Sequence, residues 1–302
     1  MKILLVYSYA KGTTAHYIEE ALKKMGETVH VLDASKVDNL KTGLGKIAPK
    51  LFHLSIKDAV SIIGEKPDIV IEIEGDPSYH LSGLKSTDIP SVYWAIDSHR
   101  MGSRKNQLEI CRDFDFFFVA QKDYVEMFHE AGARAIWLPL AADPSIHKTH
   151  DVPKTYDVAY VGGLNPKQNL KRLELLDQIK KEFKLNIGHL KYYDEMAEVY
   201  SSAKIGFNKS IGNDINMRLF EIMSCGTMLL TDQIEGNGID ELFVDKKHLV
   251  FYREHNMLDL IRYYLKNDKE REEIAKAGQK EILAKHTYAH RADTMLNTVR
   301  KF

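Results

Sequence analysis

Arg218 and Glu221 stand three residues apart in the segment Asn216-Met-Arg-Leu-Phe-Glu-Ile-Met-Ser-Cys-Gly-Thr-Met-Leu-Leu-Thr-Asp232. That spacing places both side chains on one face of a helix. A guanidinium offers parallel N–H donors that match phosphate oxygens, and a carboxylate accepts hydrogen bonds from sugar hydroxyls. The pair is therefore suited to hold a nucleotide by its diphosphate and its ribose. The same spacing also suits a plain ion pair on a solvated helix face. Cys225-Gly226 ends the helix, and Thr227–Thr231 reads as a short buried parallel strand. A helix that begins at a cleft and leads into a core strand is a usual way to aim such side chains at a ligand.

Other residues could serve the same chemistry. Gly162-Gly163 forms a tight turn after a strand, and Lys167 opens the helix that follows. A lysine in a first helical turn opposes the helix dipole unless an anion is near, and amide groups of the turn suit phosphate. Gly12, Thr13 and Thr14 follow the first strand and could meet phosphate from an opposite wall; they also read as an ordinary helix cap. Asp97-Ser-His99-Arg100 follows the strand Ser91–Ala95, where a cleft loop is expected. There His99 would act as a base, oriented by Asp97, although the same residues read as a plain turn. Asp113-Phe-Asp115 mimics a metal-binding pair but leads straight into a buried strand. Cys111 and Cys225 lie in different halves without metal-ligand spacing and fit buried thiols of a reducing cytosol. No metal and no cofactor are expected.

Strands and helices alternate along the chain, which implies an α/β fold with parallel sheets. The first half reads as strands at Ile3–Tyr7, Thr28–Leu32, Asp68–Glu72, Ser91–Ala95, Phe114–Val119 (a central strand) and Ala135–Leu138. Residues 35–64 read as helical. The Pro-rich stretch Pro139–Pro153 reads as a linker, giving domains over residues 1–148 and 149–302. In the second half, Tyr156–Val161, Lys204–Asn208, Thr227–Thr231 and Leu249–Phe251 read as strands. Lys167–Phe183 reads as a helix with Leu170, Leu173, Leu176 and Ile179 on one side, and Asn267 with Glu270 as a capping box. The 302 residues carry a net charge of −1, so no bulk field favours nucleic acid or an anionic membrane. No leader and no membrane-spanning stretch is apparent, and a cytoplasmic protein is expected.

The block Arg218-Leu-Phe-Glu-Ile-Met-Ser-Cys-Gly226 resembles the donor-binding motif of GT-B glycosyltransferases, and within them the CgeB-like, spore-maturation-type branch. Tyr160-Val-Gly-Gly-Leu-Asn-Pro-Lys167, Tyr200-Ser-Ser-Ala-Lys-Ile-Gly-Phe-Asn208, Ile274-Ala-Lys-Ala-Gly278 and His286-Thr-Tyr-Ala-His-Arg291 extend it in the family's order. The resemblance covers most of the C-terminal half, while the N-terminal half matches in outline. It implies two Rossmann-like domains facing across a cleft, with the last helix, 286–302, returning to the first domain. It implies transfer of a sugar from a nucleoside-diphosphate sugar to a hydroxyl of a glycan, protein or small-molecule acceptor. Glu221 would accept from the ribose; Arg218 and Lys167, with Gly162 and Gly163, would hold the diphosphate. Retaining members often carry an acid eight positions before that glutamate, where this chain has Asn213, and Gly163 stands where they have arginine. Retention or inversion therefore stays open. A silent domain that only binds nucleotide or glycan is the second reading. A dinucleotide-dependent oxidoreductase ranks last, because no Gly-x-Gly-x-x-Gly follows the first strand.

Overall fold

The computed structural model of the chain describes residues 1–33, 54–73 and 80–301. Met1–Pro139 with Arg291–Phe302 form one compact unit, and Leu140–His290 form the other. Residues 140–148 thus pack with the second unit.

In the first unit, strands β1 (Lys2–Tyr7), β2 (Thr28–Asp33), β4 (Ile69–Ile73), β6 (Ser91–Ala95), β7 (Phe116–Val119) and β8 (Ala135–Trp137) form a sheet in the order β2-β1-β4-β6-β7-β8. All its pairings are parallel. The order places Phe116–Val119 next to the edge and not at the centre. The run is nonetheless buried on both faces, which is why it reads as central. The helical reading of residues 35–64 lies partly outside the described residues. What is described holds the short strand β3 (Leu54–Ser55), paired with β5 (Leu81–Ser82), and the helix Ile56–Ile63. Ser55 and Asp58 cap that helix reciprocally and Gly64 closes it.

In the second unit, β9 (Tyr156–Val161), β10 (Leu185–Gly188), β11 (Ala203–Asn208), β12 (Met228–Asp232) and β13 (Val250–Tyr252) form a parallel sheet ordered β10-β9-β11-β12-β13. From β9 the chain first builds outward to β10, then returns to β11 on the other side of β9. The order reverses between β9 and β11, and ligands of such sheets bind beyond the strand ends at that point.

Two helices frame this point. The first spans Pro166–Glu182, with Asn165 capping it through the Lys167 amide at 3.0 Å. Asn169 inside it has non-helical dihedrals, φ −159° and ψ 82°. The first turn is therefore rotated against the rest, and Leu170, expected on the apolar side, is 59% exposed. The buried face runs instead through Arg172, Leu175, Leu176 and Ile179. The second helix spans Met217–Ser224 and buries every residue from Leu219 to Ser224. Full burial of Leu219, Phe220, Ile222 and Met223 contributes on the order of 1.5–3 kcal/mol each, enough to carry the buried Glu221 among them. Gly206 of β11 lets this helix close on the sheet: a Cβ there would lie 2.3 Å from Ile222 Cγ2.

The capping box expected at Asn267 does not form. The Asn267 amide donates to Tyr263 O, and the Glu270 carboxylate accepts from the Tyr263 hydroxyl at 2.8 Å.

Candidate functional site

Arg218, on the second residue of the Met217–Ser224 helix, reaches across the two strand ends at the reversal point. Its Nε donates to Val161 O of β9 at 2.6 Å, and its Nη1 to Asn208 Oδ1 of β11 at 2.9 Å. Its guanidinium carbon lies 4.8 Å from the Tyr160 ring centre. Gly162 is required beneath it: a Cβ there would meet Arg218 Nη2 at 2.4 Å, and its φ of +152° disfavours other residues.

Arg172 makes the same bridge from the opposite helix. Its Nη1 donates to Gly163 O at 3.4 Å, and Nε and Nη2 donate to Lys209 O at 3.3 and 3.0 Å. Its guanidinium carbon lies 5.7 Å from the Tyr160 ring, and the residue is 5% exposed. Among the described residues no carboxylate lies within 4 Å of either guanidinium. Burial, then the Arg218 charge, holds the Arg172 pKa below its ordinary value. Two cations with no carboxylate in ion-pair range among the described residues, one of them buried, repel each other and favour an anion beside them. Sequence reasoning passed over Arg172. Its signal was a charged residue on the buried stripe of an otherwise solvated Lys/Glu-rich helix.

Glu221 sits one helical turn beyond Arg218 and is 6% exposed. It forms no ion pair with Arg218, and the side chain is not on a solvated face. Among the described residues no donor hydrogen-bonds its carboxylate; the polar group that approaches it is His147, with Nε2 3.7 Å from Oε1. Burial pushes its pKa up to about 7, with Arg218 opposing. A buried carboxylate lacking donors is costly and is relieved by a ligand that supplies hydroxyls. Asn216, at the start of the same helix, has a buried Oδ1 that also lacks a hydrogen-bond partner.

The remaining residues are placed as follows. Lys167 is exposed near the start of its helix. The Gly162 amide donates to Gly188 O at 3.3 Å, and this leaves Gly163 as the turn amide open to an anion. Asn213 is exposed with φ +61°, and its carbonyl accepts from Asn237 at 2.6 Å. In the first unit, Gly12 has φ +68°, and Thr13 turns its hydroxyl to Ala10 O without capping the helix. Asp97, at φ +58°, pairs with Arg100 at 3.4 Å and does not hydrogen-bond His99. His99 has a buried Nδ1 without a partner. Burial holds its pKa below the usual histidine value, with Asp97 opposing and Arg100 and Arg104 assisting, so the imidazole is neutral near pH 7. Asp113 meets His80 Nε2 at 3.1 Å, and Asp115 binds Lys85 and Ser91, which gives both carboxylates structural partners.

The pattern of a family described as glycosyl transferase-like matches residues 171–297. No curated protein matches the chain by sequence. HepE from Anabaena, solved with UDP-glucose, superposes with a TM-score of 0.68 at 12% identity over 100% of both chains. Sucrose-phosphate synthase from Thermosynechococcus elongatus gives 0.65 at 12% identity, over 100% of this chain and 98% of that one. A glycosyltransferase from Rickettsia africae gives 0.62 at 12% identity, over 99% and 98%. Among the described residues no helix is long and apolar enough to cross a membrane. At such identities the likeness establishes architecture, and the chain has the GT-B fold, with a glycosyl transferase-like pattern over residues 171–297.

Proposed function

We propose that the chain is a glycosyltransferase, of the CgeB-like type suggested by its motif block, that moves a hexose from a nucleoside-diphosphate sugar to an acceptor hydroxyl. One observation carries this reading: Arg172 and Arg218 bridge the ends of β9 and β11 at the reversal point, without a carboxylate partner among the described residues. A diphosphate supplies the missing charge. The donor-poor carboxylate of Glu221, on the Arg218 helix, then takes the ribose hydroxyls. Negative charge on the diphosphate grows as the glycosidic bond breaks, so a fixed guanidinium counts more in the transition state than in the ground state. Two such cations provide the neutralisation that other transferases draw from a metal ion, and transfer is expected without one. In the first unit, neutral His99 is the proposed acceptor base. That HepE was solved with UDP and with UDP-glucose supports a uridine nucleotide as the first donor to try.

The test is release of nucleoside diphosphate from a panel of sugar nucleotides, with and without mixed glycan acceptors. Release that disappears in a folded Arg218→Ala chain is the expected result. A second reading, a silent nucleotide-binding domain, is favoured by the exposed Asn213 where retaining enzymes carry an acid. Tight diphosphate binding with no release from any sugar nucleotide would establish that reading instead.

A further inference from the structure

Asn208 ends β11 with its side chain buried, 0% exposed. Its Oδ1 accepts from Arg218 Nη1 at 2.9 Å, and its Nδ2 donates to Thr231 Oγ1 at 2.9 Å and to Ser210 Oγ at 3.3 Å. A guanidinium only donates, so the amide oxygen must face it and the amide nitrogen must face the hydroxyls. The Thr231 hydroxyl in turn donates to Asp232 Oδ1 at 3.3 Å. Lys209 Nζ pairs with that carboxylate at 2.9 Å, and the Ser210 amide donates to it at 2.9 Å. The Asn208 main chain is pinned as well, since the Tyr252 hydroxyl donates to its carbonyl at 3.1 Å. Arg218 is thus joined to a carboxylate only through two neutral side chains, and that carboxylate already has a lysine.

The other contacts that aim Arg218, the Val161 carbonyl and the Tyr160 ring, are uncharged too. Among the described residues Arg218 Nη2 has no hydrogen-bond acceptor. Buried or half-buried arginines are ordinarily paired with a carboxylate, which would cancel the charge that a bound anion needs. An aspartate would fit the place of Asn208 and accept the same bond. We propose that Asn208 is a positioning residue that aims Arg218 through a neutral acceptor, so that the guanidinium keeps its charge for the diphosphate leaving group. The inference rests on the diphosphate role proposed for Arg218. A free nucleoside diphosphate carries an extra negative charge relative to its sugar ester, so it draws more on an unneutralised guanidinium.

The experiment measures dissociation constants of the diphosphates of uridine, guanosine, adenosine and cytidine, and of their glucose esters, by calorimetry at neutral pH. Urea midpoints are recorded on the same chains: the parent, Arg218→Ala, Asn208→Asp and Asn208→Ala. The parent should bind its best diphosphate more tightly than the matching sugar nucleotide. Asn208→Asp should weaken the diphosphate about tenfold or more and the sugar nucleotide about threefold, so the preference shrinks. Its urea midpoint should stay at the parent value, because the new carboxylate pairs with Arg218 and the Thr231 and Ser210 hydroxyls can turn to donate to it. Asn208→Ala should show the reverse ranking: the larger loss of midpoint, and the smaller loss of preference, about threefold. An asparagine with a purely structural role would lower midpoint and affinity together and weaken both ligands alike. If Arg218→Ala shrinks the preference while Asn208→Asp keeps it, the role of Asn208 is overturned and that of Arg218 stands. An Asn208→Asp chain that fails to fold would overturn it too, since the expected pairing would not have formed. If Arg218→Ala keeps the parent preference, or the parent binds none of the diphosphates, the diphosphate reading of Arg218 falls and the inference falls with it.

Discussion

Glu221 and His147 couple binding to proton linkage with opposite signs. The folded pKa of Glu221 is raised from 4.5 to about 7, so the folded chain holds a proton that the unfolded chain releases, and stability falls as pH rises across that window. The folded pKa of His147 is lowered from 6.5 to about 4, so the unfolded chain holds the extra proton, and stability falls as pH drops across that window. Each slope amounts to about 3 kcal/mol, and in the parent they largely cancel. Relative to the parent, Glu221→Gln should therefore gain about 3 kcal/mol between pH 4.5 and 7, and His147→Gln should lose about as much between pH 4 and 6.5. Urea titrations at closely spaced pH values measure this; parallel pH profiles for all three chains would refute both shifts. Arg218→Ala is expected to cut turnover by about 2–4 kcal/mol of barrier while donor affinity changes little. An unchanged rate in a folded variant would move the phosphate contact to Arg172 or Lys167. That Arg218 and Glu221 share one short helix was legible from their spacing and the Cys225-Gly226 stop. Arg172 and His147 were not, because only tertiary packing turns a surface-like arginine inward and folds a Pro-rich stretch over a histidine.

The Met217–Ser224 helix carries Arg218 and Glu221, the two side chains proposed to hold the donor, and its seat is Gly206. Gly206→Ala would place a methyl 2.3 Å from Ile222 Cγ2 and push the helix off β11. It should destabilise by about 1–3 kcal/mol and weaken nucleotide binding together. Gly162→Ala, whose Cβ would lie 2.4 Å from Arg218 Nη2, should displace that guanidinium and slow turnover, with a smaller loss of stability. Chemical denaturation and calorimetry on both variants separate the two; equal effects on stability would contradict the assignment of Gly162 to the site. Most strands were legible because runs such as Ser91–Ala95 and Tyr156–Val161 are apolar, β-branched or aromatic, and bounded by turn residues. The strand Leu185–Gly188 was not, since four residues with Asn and Gly gain strand character only by pairing with β9. Leu170 misled because the non-helical Asn169 breaks the period that the sequence implies.

The chain leaves the first unit at Pro139 and returns to it at Arg291. On return, Arg291 Nε donates to Pro139 O at 2.7 Å, Arg300 pairs with Glu27 at 3.5 Å, and Ala292, Met295 and Leu296 are buried. Truncation before Arg291 should destabilise the first unit by several kcal/mol, at about 1.5–3 kcal/mol per large buried side chain, while the second unit still binds nucleotide. Calorimetric scans would show an early-melting transition; an unchanged scan would contradict this role for the tail. Transfer should also persist in EDTA, because in the proposed donor site Arg172 and Arg218 would neutralise the diphosphate; loss of transfer restored by a divalent ion would contradict it. The most direct test of the donor site is the stability that nucleoside diphosphates confer. At 100 times its dissociation constant, the matching diphosphate should add about 2.7 kcal/mol to the parent and almost nothing, at the same concentration, to Glu221→Ala or to a folded Arg172→Ala, Arg218→Ala double variant. Equal stabilisation of all three chains, or none of the parent by any diphosphate, would show that the nucleotide does not bind where Arg172, Arg218 and Glu221 converge.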